Sequence, residues 1–344
     1  MGGNFAVAGA FAGNIWVIAF VALLLTLALL LVLNGRVRLA VMGRIRAALD
    51  SDLWWSFTRN PITVISAIVA AICIGGAVLA PWIAPHNPFD LASLQLLDAF
   101  KPPAWSAEGD PTYLLGTDDQ GRDMLSAIMY GARVSLLVGF LAVVMSVLLG
   151  VSAGLAAGYL GGTVDALLMR IADIKLTFPT ILIALLIDGV VRAALPRDVH
   201  DQIALYVVIF AIGFSNWPSF ARTVRGSTMV ERNKEYVQAA RVIGLGRGRI
   251  MITHVLPNVL GPVLVIATLQ LGFAILAEAT LSFLGVGVPP TQPSLGTLIR
   301  IGNDFLFSGE WWITIFPGIA LIVLVLSVNL LGDWLRDALN PKLR

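Results

Sequence analysis

Apolar residues run in long blocks along this chain, and polar residues gather between the blocks rather than alternating within them. Seven blocks approach the roughly 20 residues a helix needs to cross a hydrocarbon core. They are 15–33, 62–84, 134–158, 166–187, 203–221, 259–284 and 312–332. The first is the plainest, with LALLLVL and no charge. It exceeds the about 7–15 apolar residues of a signal peptide and has no basic segment before it, so it is expected to be retained. The fourth is the least plain, because Arg170, Asp173 and Lys175 sit in its first turns and Pro179 interrupts it. This pattern predicts an all-α polytopic membrane protein.

Composition excludes a soluble domain. The chain is 58% hydrophobic and 13% charged, with a mean hydropathy of +0.85, whereas soluble domains carry about 25% charged residues. The single cysteine, Cys73, lies in an apolar run, so neither an intrachain disulfide nor a Cys/His metal cluster is expected.

Charge orients the spans, since Lys and Arg resist translocation. Arg36, Arg38, Arg44, Arg46 and Arg59 follow the first span. Arg222, Arg225, Arg232, Lys234, Arg241, Arg247 and Arg249 follow the fifth, and Arg336, Lys342 and Arg344 close the chain. These belong in the cytoplasm. The 85–132 loop carries Asp90, Asp98, Glu108, Asp110, Asp118, Asp119 and Asp123 against Lys101 and Arg122, and belongs outside. Seven alternating spans satisfy both assignments, with the N-terminus outside and the C-terminus cytoplasmic.

The cytoplasmic segment EYVQAARVIGLGRGRIMITHVLPN, 235–258, then needs a purpose. Tyr236, Ala239, Ala240 and Ile243 share one helical stripe. Glu235 suits the helix start, and Gly244 suits the left-handed position that ends a helix. Pro257 opens the next span, where its missing N–H costs least. Basic residues beside a stripe would suit an amphipathic helix on anionic lipid. The stripe is shallow, however, because two of its four members are alanine, and it also suits a shaped protein groove.

The order Ala239, Ala240, Gly244, His254, Leu256, Pro257 resembles the EAA loop of ABC importer permeases. That motif has Glu where Gln238 stands and Ile where His254 stands. The form EYV-x-AAR…HxLPN is similar to the dipeptide/oligopeptide branch. LAPWIAPHNPFD at 79–90, LGTDDQGRDMLSAIMYGARVSL at 115–136, LSFLGVGVPPTQPSLG at 281–296 and NLLGDWLRDALNPKLR at 329–344 resemble the same branch.

The resemblance implies a type I ABC importer permease fold of six spans plus one extra N-terminal span. Residues 1–53 would be an extension with its own span and a basic linker. Residues 54–344 would be the transmembrane domain, with the external segment 85–132 and the coupling loop 222–257. It further implies a bacterial inner-membrane location in the lipid bilayer, a second permease subunit as heterodimer partner and two ABC ATPases. An extracytoplasmic peptide-binding protein would deliver the cargo, and no nucleic acid would be involved. The ATPase-coupling helix would use Glu235, Tyr236, Gln238, Ala239, Ala240, Arg241 and Gly244, with His254, Leu256 and Pro257 behind it. Peptides are the expected cargo, while relatives of the branch carry nickel complexes or other small solutes.

Chemistry of the chain's own is not expected. GxxxxGK[ST] does not occur, and GLGRGR at 244–249 lacks both the lysine and a preceding strand. No cofactor is therefore expected in this chain, and ATP and magnesium would sit on the partner ATPases. TDDQGRD at 117–123 lacks calcium-loop spacing. It reads as an external turn, with Asp118 or Asp123 paired to Arg122 or capping a helix. The sharper alternative is an external gate or a contact to the binding protein. An i, i+3 pair between Arg170 and Asp173 is the plain account of those charges, and the inner mouth of a pathway is the other. Glu278 lies at bilayer depth and would face the partner permease or the pathway. Asn216 and Pro218 would break the fifth span or mark its cytoplasmic end. An ion-coupled secondary transporter would need deep carboxylates or an inverted repeat; the chain offers Glu278 and no repeat.

Overall fold

The computed structural model describes residues 52–90, 96–289 and 291–338. The expected first span at 15–33, its following arginines at 36–46, and Lys342 and Arg344 lie outside the described residues. The chain divides into two units, Met1–Pro61 and Ile62–Arg344. In the first, helix α1 (Asp52–Arg59) sets the Arg59 guanidinium over the Trp55 ring, 4.2 Å from its centroid.

The second unit is built of helices: α2 (Pro61–Ile83), α3 (Met124–Leu160), α4 (Gly162–Leu176), α5 (Thr180–Ala194) and α6 (Arg197–Glu231). A short α7 (Glu235–Val242) and a one-turn α8 (Arg247–Ile250) follow. A π turn at Met251–Val255 leads into α9 (Leu256–Phe283), then α10 (Leu295–Asn303) and α11 (Trp312–Ala338). Among the described residues five helical stretches are long and apolar enough to cross a membrane, or six if the bent α4–α5 pair is one span.

That pair corrects the expected fourth span. α4 and α5 are bent by 89° at Thr177–Pro179. Pro179 has no N–H to continue the helix and disfavours the helical region for Phe178 before it. The fifth span is corrected in the opposite sense: α6 runs unbroken through Asn216 and Pro218 and ends at Glu231. α3 packs along this stretch. Ser146 of α3 donates its hydroxyl to the carbonyl of Gly213, 2.8 Å away, one turn before the proline.

The α3–α6 contact is the spine of the unit. Gly150, Gly154 and Gly158 recur every fourth residue on one face of α3. A Cβ on Gly150 would lie 2.4 Å from Phe220 Cβ, and one on Gly154 would lie 2.4 Å from the Ala221 carbonyl oxygen. A Cβ on Gly158 would lie 2.7 Å from Thr228 Cβ. Lipid tails are as apolar as leucine, so helices in a bilayer associate through such close backbone approach. Phe220, Val224, Leu155 and Tyr159 extend the seam into the main core. α9 and α11 meet on the same plan, with Gly272 against Asn329 and Gly332 against Thr268. α10 is wedged between them, and Leu295 and Leu298 are buried.

Candidate functional site

The coupling segment stands where α6 leaves the apolar region and α9 enters it. α7 has a buried face and a bare face. Val237 and Ala240 are buried in the main core, while Ala239, Val242 and Ile243 point away, the last two 88% and 77% exposed. The expected stripe of Tyr236, Ala239, Ala240 and Ile243 is thus redrawn. Ala240 packs inward with Val237, and Val242 joins Ala239 and Ile243 outside. Helical spacing alone does not say which edge of a shallow stripe meets the chain's own core.

Tyr236 is a brace. Its hydroxyl donates to Glu231 at the end of α6 and accepts from Asn258 Nδ2 of α9 at 3.1 Å. Burial, and next the Glu231 carboxylate, push its phenol up to about 12. Asn258 also donates to the His254 carbonyl at 2.8 Å, and Gln238 Nε2 donates to the Asn233 carbonyl at 3.0 Å. One short helix is therefore tied to both flanking spans. Gly244 ends it with φ +85, and nothing lies within 4 Å of the Cβ position there. Glu235 is exposed in the first turn. Arg241 reaches over the Tyr159 ring, 5.2 Å from its centroid, beside a cleft that Arg247, Leu245 and Ile250 also line. His254 Nδ1 is buried with no hydrogen-bond partner. Leu256 is half-buried and Pro257 exposed. Glu231 and Asn258, which complete the brace, were not singled out from sequence. Asn258 had a hint in closing the HxLPN string.

The turn at 117–123 has the hydrogen bonding of the plainer sequence reading. Arg122 Nε donates to Asp118 at 2.6 Å, with both side chains buried. The other Asp118 oxygen accepts the backbone N–H groups of Gln120 and Arg122, each at 2.9 Å. Asp123 caps α3 by accepting the Ser126 N–H at 3.0 Å. These three residues are consumed inside the fold, which leaves them little surface to offer a partner. Trp312 Nε1 donates to the Thr117 carbonyl at 3.0 Å and fastens the turn to α11. Arg122→Gln is expected to cost about 3–5 kcal/mol, because it leaves the Asp118 carboxylate buried without its cation. The thermal midpoint of the purified protein measures this, and Asp119→Asn is expected to leave it near the parental value.

Nearby, Lys101 holds Asp98 at 2.7 Å and Asp110 at 2.8 Å. Hydrogen bonds from Lys101 and then Tyr113 hold the Asp98 carboxyl below its usual range, and Lys101 with Thr112 does the same for Asp110. The two carboxylates raise Lys101 in return. The carboxylate contribution is present above about pH 4 and is lost as pH falls through the folded values. The lysine contribution is present below about pH 10.4 and is lost as pH rises through its folded value.

Some of the remaining charges pair across the fold. Asp173 accepts from Arg222 of α6 at 2.6 Å, so the expected Arg170–Asp173 pair does not form. Arg170 is exposed and, among the described residues, has no ion-pair partner. Arg225 grips Asp165 with two nitrogens. Glu278, expected at a permease interface or pathway, is enclosed by this chain itself. It has no exposed surface and accepts from Ser135 and Ser282, each at 2.7 Å. Asp188 of α5 was not singled out from sequence. It is buried, 2.5 Å from Arg192 Nε and 3.0 Å from His200 Nε2. The i, i+4 spacing of Asp188 and Arg192 was its available signal.

A helical membrane unit with the 117–123 turn at one end of α3 and a braced, bare-faced helix near the other has the form of a permease subunit. Residues 146–344 match the family described as the binding-protein-dependent transport system inner membrane component. Residues 51–103 match the N-terminal TM domain of oligopeptide transport permease C. The chain belongs to the inner membrane components of binding-protein-dependent transport systems. The dipeptide transport system permease protein DppC of Haemophilus influenzae is 40% identical over 85% of this chain and 95% of its own length. Its namesake in Escherichia coli is 43% identical over 85% and 93%. The di/tripeptide transport system permease protein DppC of Pseudomonas aeruginosa is 38% identical over 85% and 92%. A chain of the inward-facing MetNI methionine ABC transporter aligns at 19% identity and a TM-score of 0.49, over 63% of this chain and 98% of that one. This chain is thus a polytopic inner-membrane permease subunit of a bacterial ABC importer.

Proposed function

We propose that this chain is one half of a heterodimeric membrane pathway that imports di- or oligopeptides, driven by ATP hydrolysed on two partner ATPases. ATP and magnesium would bind those partners, and an extracytoplasmic peptide-binding protein would load the cargo at the 85–132 side. The C-terminus and the coupling segment would face the cytoplasm. The observation that carries the coupling is the bare face of α7 on a helix braced to two spans. Ala239, Val242 and Ile243 offer a small apolar surface to a groove, and the Tyr236 brace transmits its displacement to α6 and α9. Binding of ATP would close the ATPases, move α7 and rock the spans between alternate openings. The peptide cargo rests on the relatives' similarity.

The test is reconstitution of the purified complex in liposomes with its binding protein. Two ATPase chains are expected to copurify, and labelled dipeptide is expected to accumulate only with ATP. Accumulation driven by an ion gradient without ATP would contradict the reading. ATP-driven uptake of a nickel complex but not of peptide would replace the cargo.

A further inference from the structure

Where α5, α9 and α10 meet, two guanidinium groups flank one turn. Gly285 closes α9 with φ +79. Arg192 Nη2 donates to its carbonyl oxygen at 2.9 Å, while Arg192 Nε is committed to Asp188. Such a cation at the last carbonyls of a helix is ordinary capping. Arg300 is different. It comes from α10 on the other side, with Nη1 only 3.1 Å from the place a Cβ of residue 285 would take. Its Nε is shut away from solvent with no hydrogen-bond partner. Asp304 stands four residues on, yet no ion pair joins the two, and among the described residues Arg300 has no partner at all.

An enclosed guanidinium nitrogen without an acceptor is a cost that a folded chain normally avoids. The half-exposed Arg192 beside it would not face lipid tails, where a charge is expensive. The two Nη nitrogens of Arg300 are not shut away as Nε is, have no partner among the described residues, and are left for an acceptor that arrives. A guanidinium is matched by a planar carboxylate, which it grips with two parallel hydrogen bonds. Gly285 leaves open the space that any side chain there would fill.

Resting on the reading of the cargo as peptide, we infer that Arg300, with Arg192 beside it, is a recognition site for the C-terminal carboxylate of the peptide being moved. Every free peptide carries that group whatever its side chains, so one fixed site serves cargo of varied sequence. A carboxylate borne by the binding protein is the competing occupant.

The experiment uses the complete importer in liposomes, with binding protein at saturation. Uptake is measured for a labelled dipeptide and for its C-terminal amide, each preloaded on the binding protein. The parental importer is expected to move the free acid about tenfold faster than the amide, a difference the size of one lost charge-assisted contact. Arg300→Gln is expected to bring the acid down to the amide rate while stimulation of the ATPase by loaded binding protein persists. Arg300→Lys is expected to restore part of the difference. Equal uptake of acid and amide by the parental importer overturns the inference without any substitution, and so covers the case in which Arg300→Gln fails to assemble. An unchanged acid-to-amide ratio in Arg300→Gln, with more binding protein needed for half-maximal rate, assigns Arg300 to docking and also overturns it. Uptake of neither cargo would instead strike the peptide reading itself.

Discussion

Gly154→Leu is expected to leave no folded subunit in the membrane. The position a Cβ would take is 2.4 Å from the Ala221 carbonyl oxygen, 2.8 Å from Val224 Cβ and 3.0 Å from the Arg225 backbone nitrogen. Two of these three are backbone atoms, which no rotamer change can move aside. Even Gly154→Ala must push α3 and α6 apart, at about 1–3 kcal/mol, and leucine adds three more carbons to the same seam. Separation would also loosen Gly150 and Gly158, one turn away on either side. The amount of full-length subunit in the membrane fraction, and its elution as a single species in detergent, measure the effect. Gly226→Ala is the matched comparison. It lies in α6, nothing stands within 4 Å of its Cβ position, and alanine there gains up to about 1 kcal/mol of helix propensity. A Gly154→Leu subunit that accumulates and elutes normally would show that this seam is not the spine of the fold.

The second large effect is expected at the coupling helix. Ala239→Trp should cut ATP-driven uptake at least about tenfold while the subunit still inserts and accumulates. Ala239 is exposed and takes no part in the core, so the added ring costs the isolated subunit little. The same ring fills the surface proposed to enter an ATPase groove, where overpacking is penalised as in any close-fitted contact. Ala240→Trp should behave differently, since Ala240 is 4% exposed and sits among Val237, Ile250 and Val255. Accumulation should fall there along with uptake. Parallel measurement of membrane level and transport separates the two residues. Normal uptake by Ala239→Trp would remove α7 as the point of coupling.

These neighbouring alanines also show what sequence reading reaches and where it stops. The alternation of apolar blocks and charged loops placed five of the spans seen among the described residues, because a bilayer imposes its thickness on any helix that crosses it. Local chemistry was readable too. Asp118, Arg122 and Asp123 solve their hydrogen bonding within four residues, and Gly244 turns the chain where a left-handed residue is needed. Long-range geometry was not readable. Asp173 lies three residues from Arg170 and 49 from Arg222, yet it chose the latter, because α4 lies against α6. Glu278 was readable as a deep carboxylate but not as one enclosed by hydroxyls from α3 and α9. Asn216 and Pro218 looked like a break, yet α6 continues through both, with Ser146 of α3 hydrogen-bonded to it at Gly213.

The π turn at Met251–Val255 carries one further meaning. An α-helix advances about 100° per residue, whereas a π turn closes its hydrogen bond one residue later. It is the way a helix stores a surplus residue while the stretches on either side keep their outward faces. The spacing from Gly244 to Pro257 therefore sets a phase as well as a length. A homologous chain one residue shorter between those points could point the same side chains in the same directions by trading the π turn for an α turn. Alignments across this joint are best judged by helical angle, with a single-residue gap at 251–255 counted as conservative.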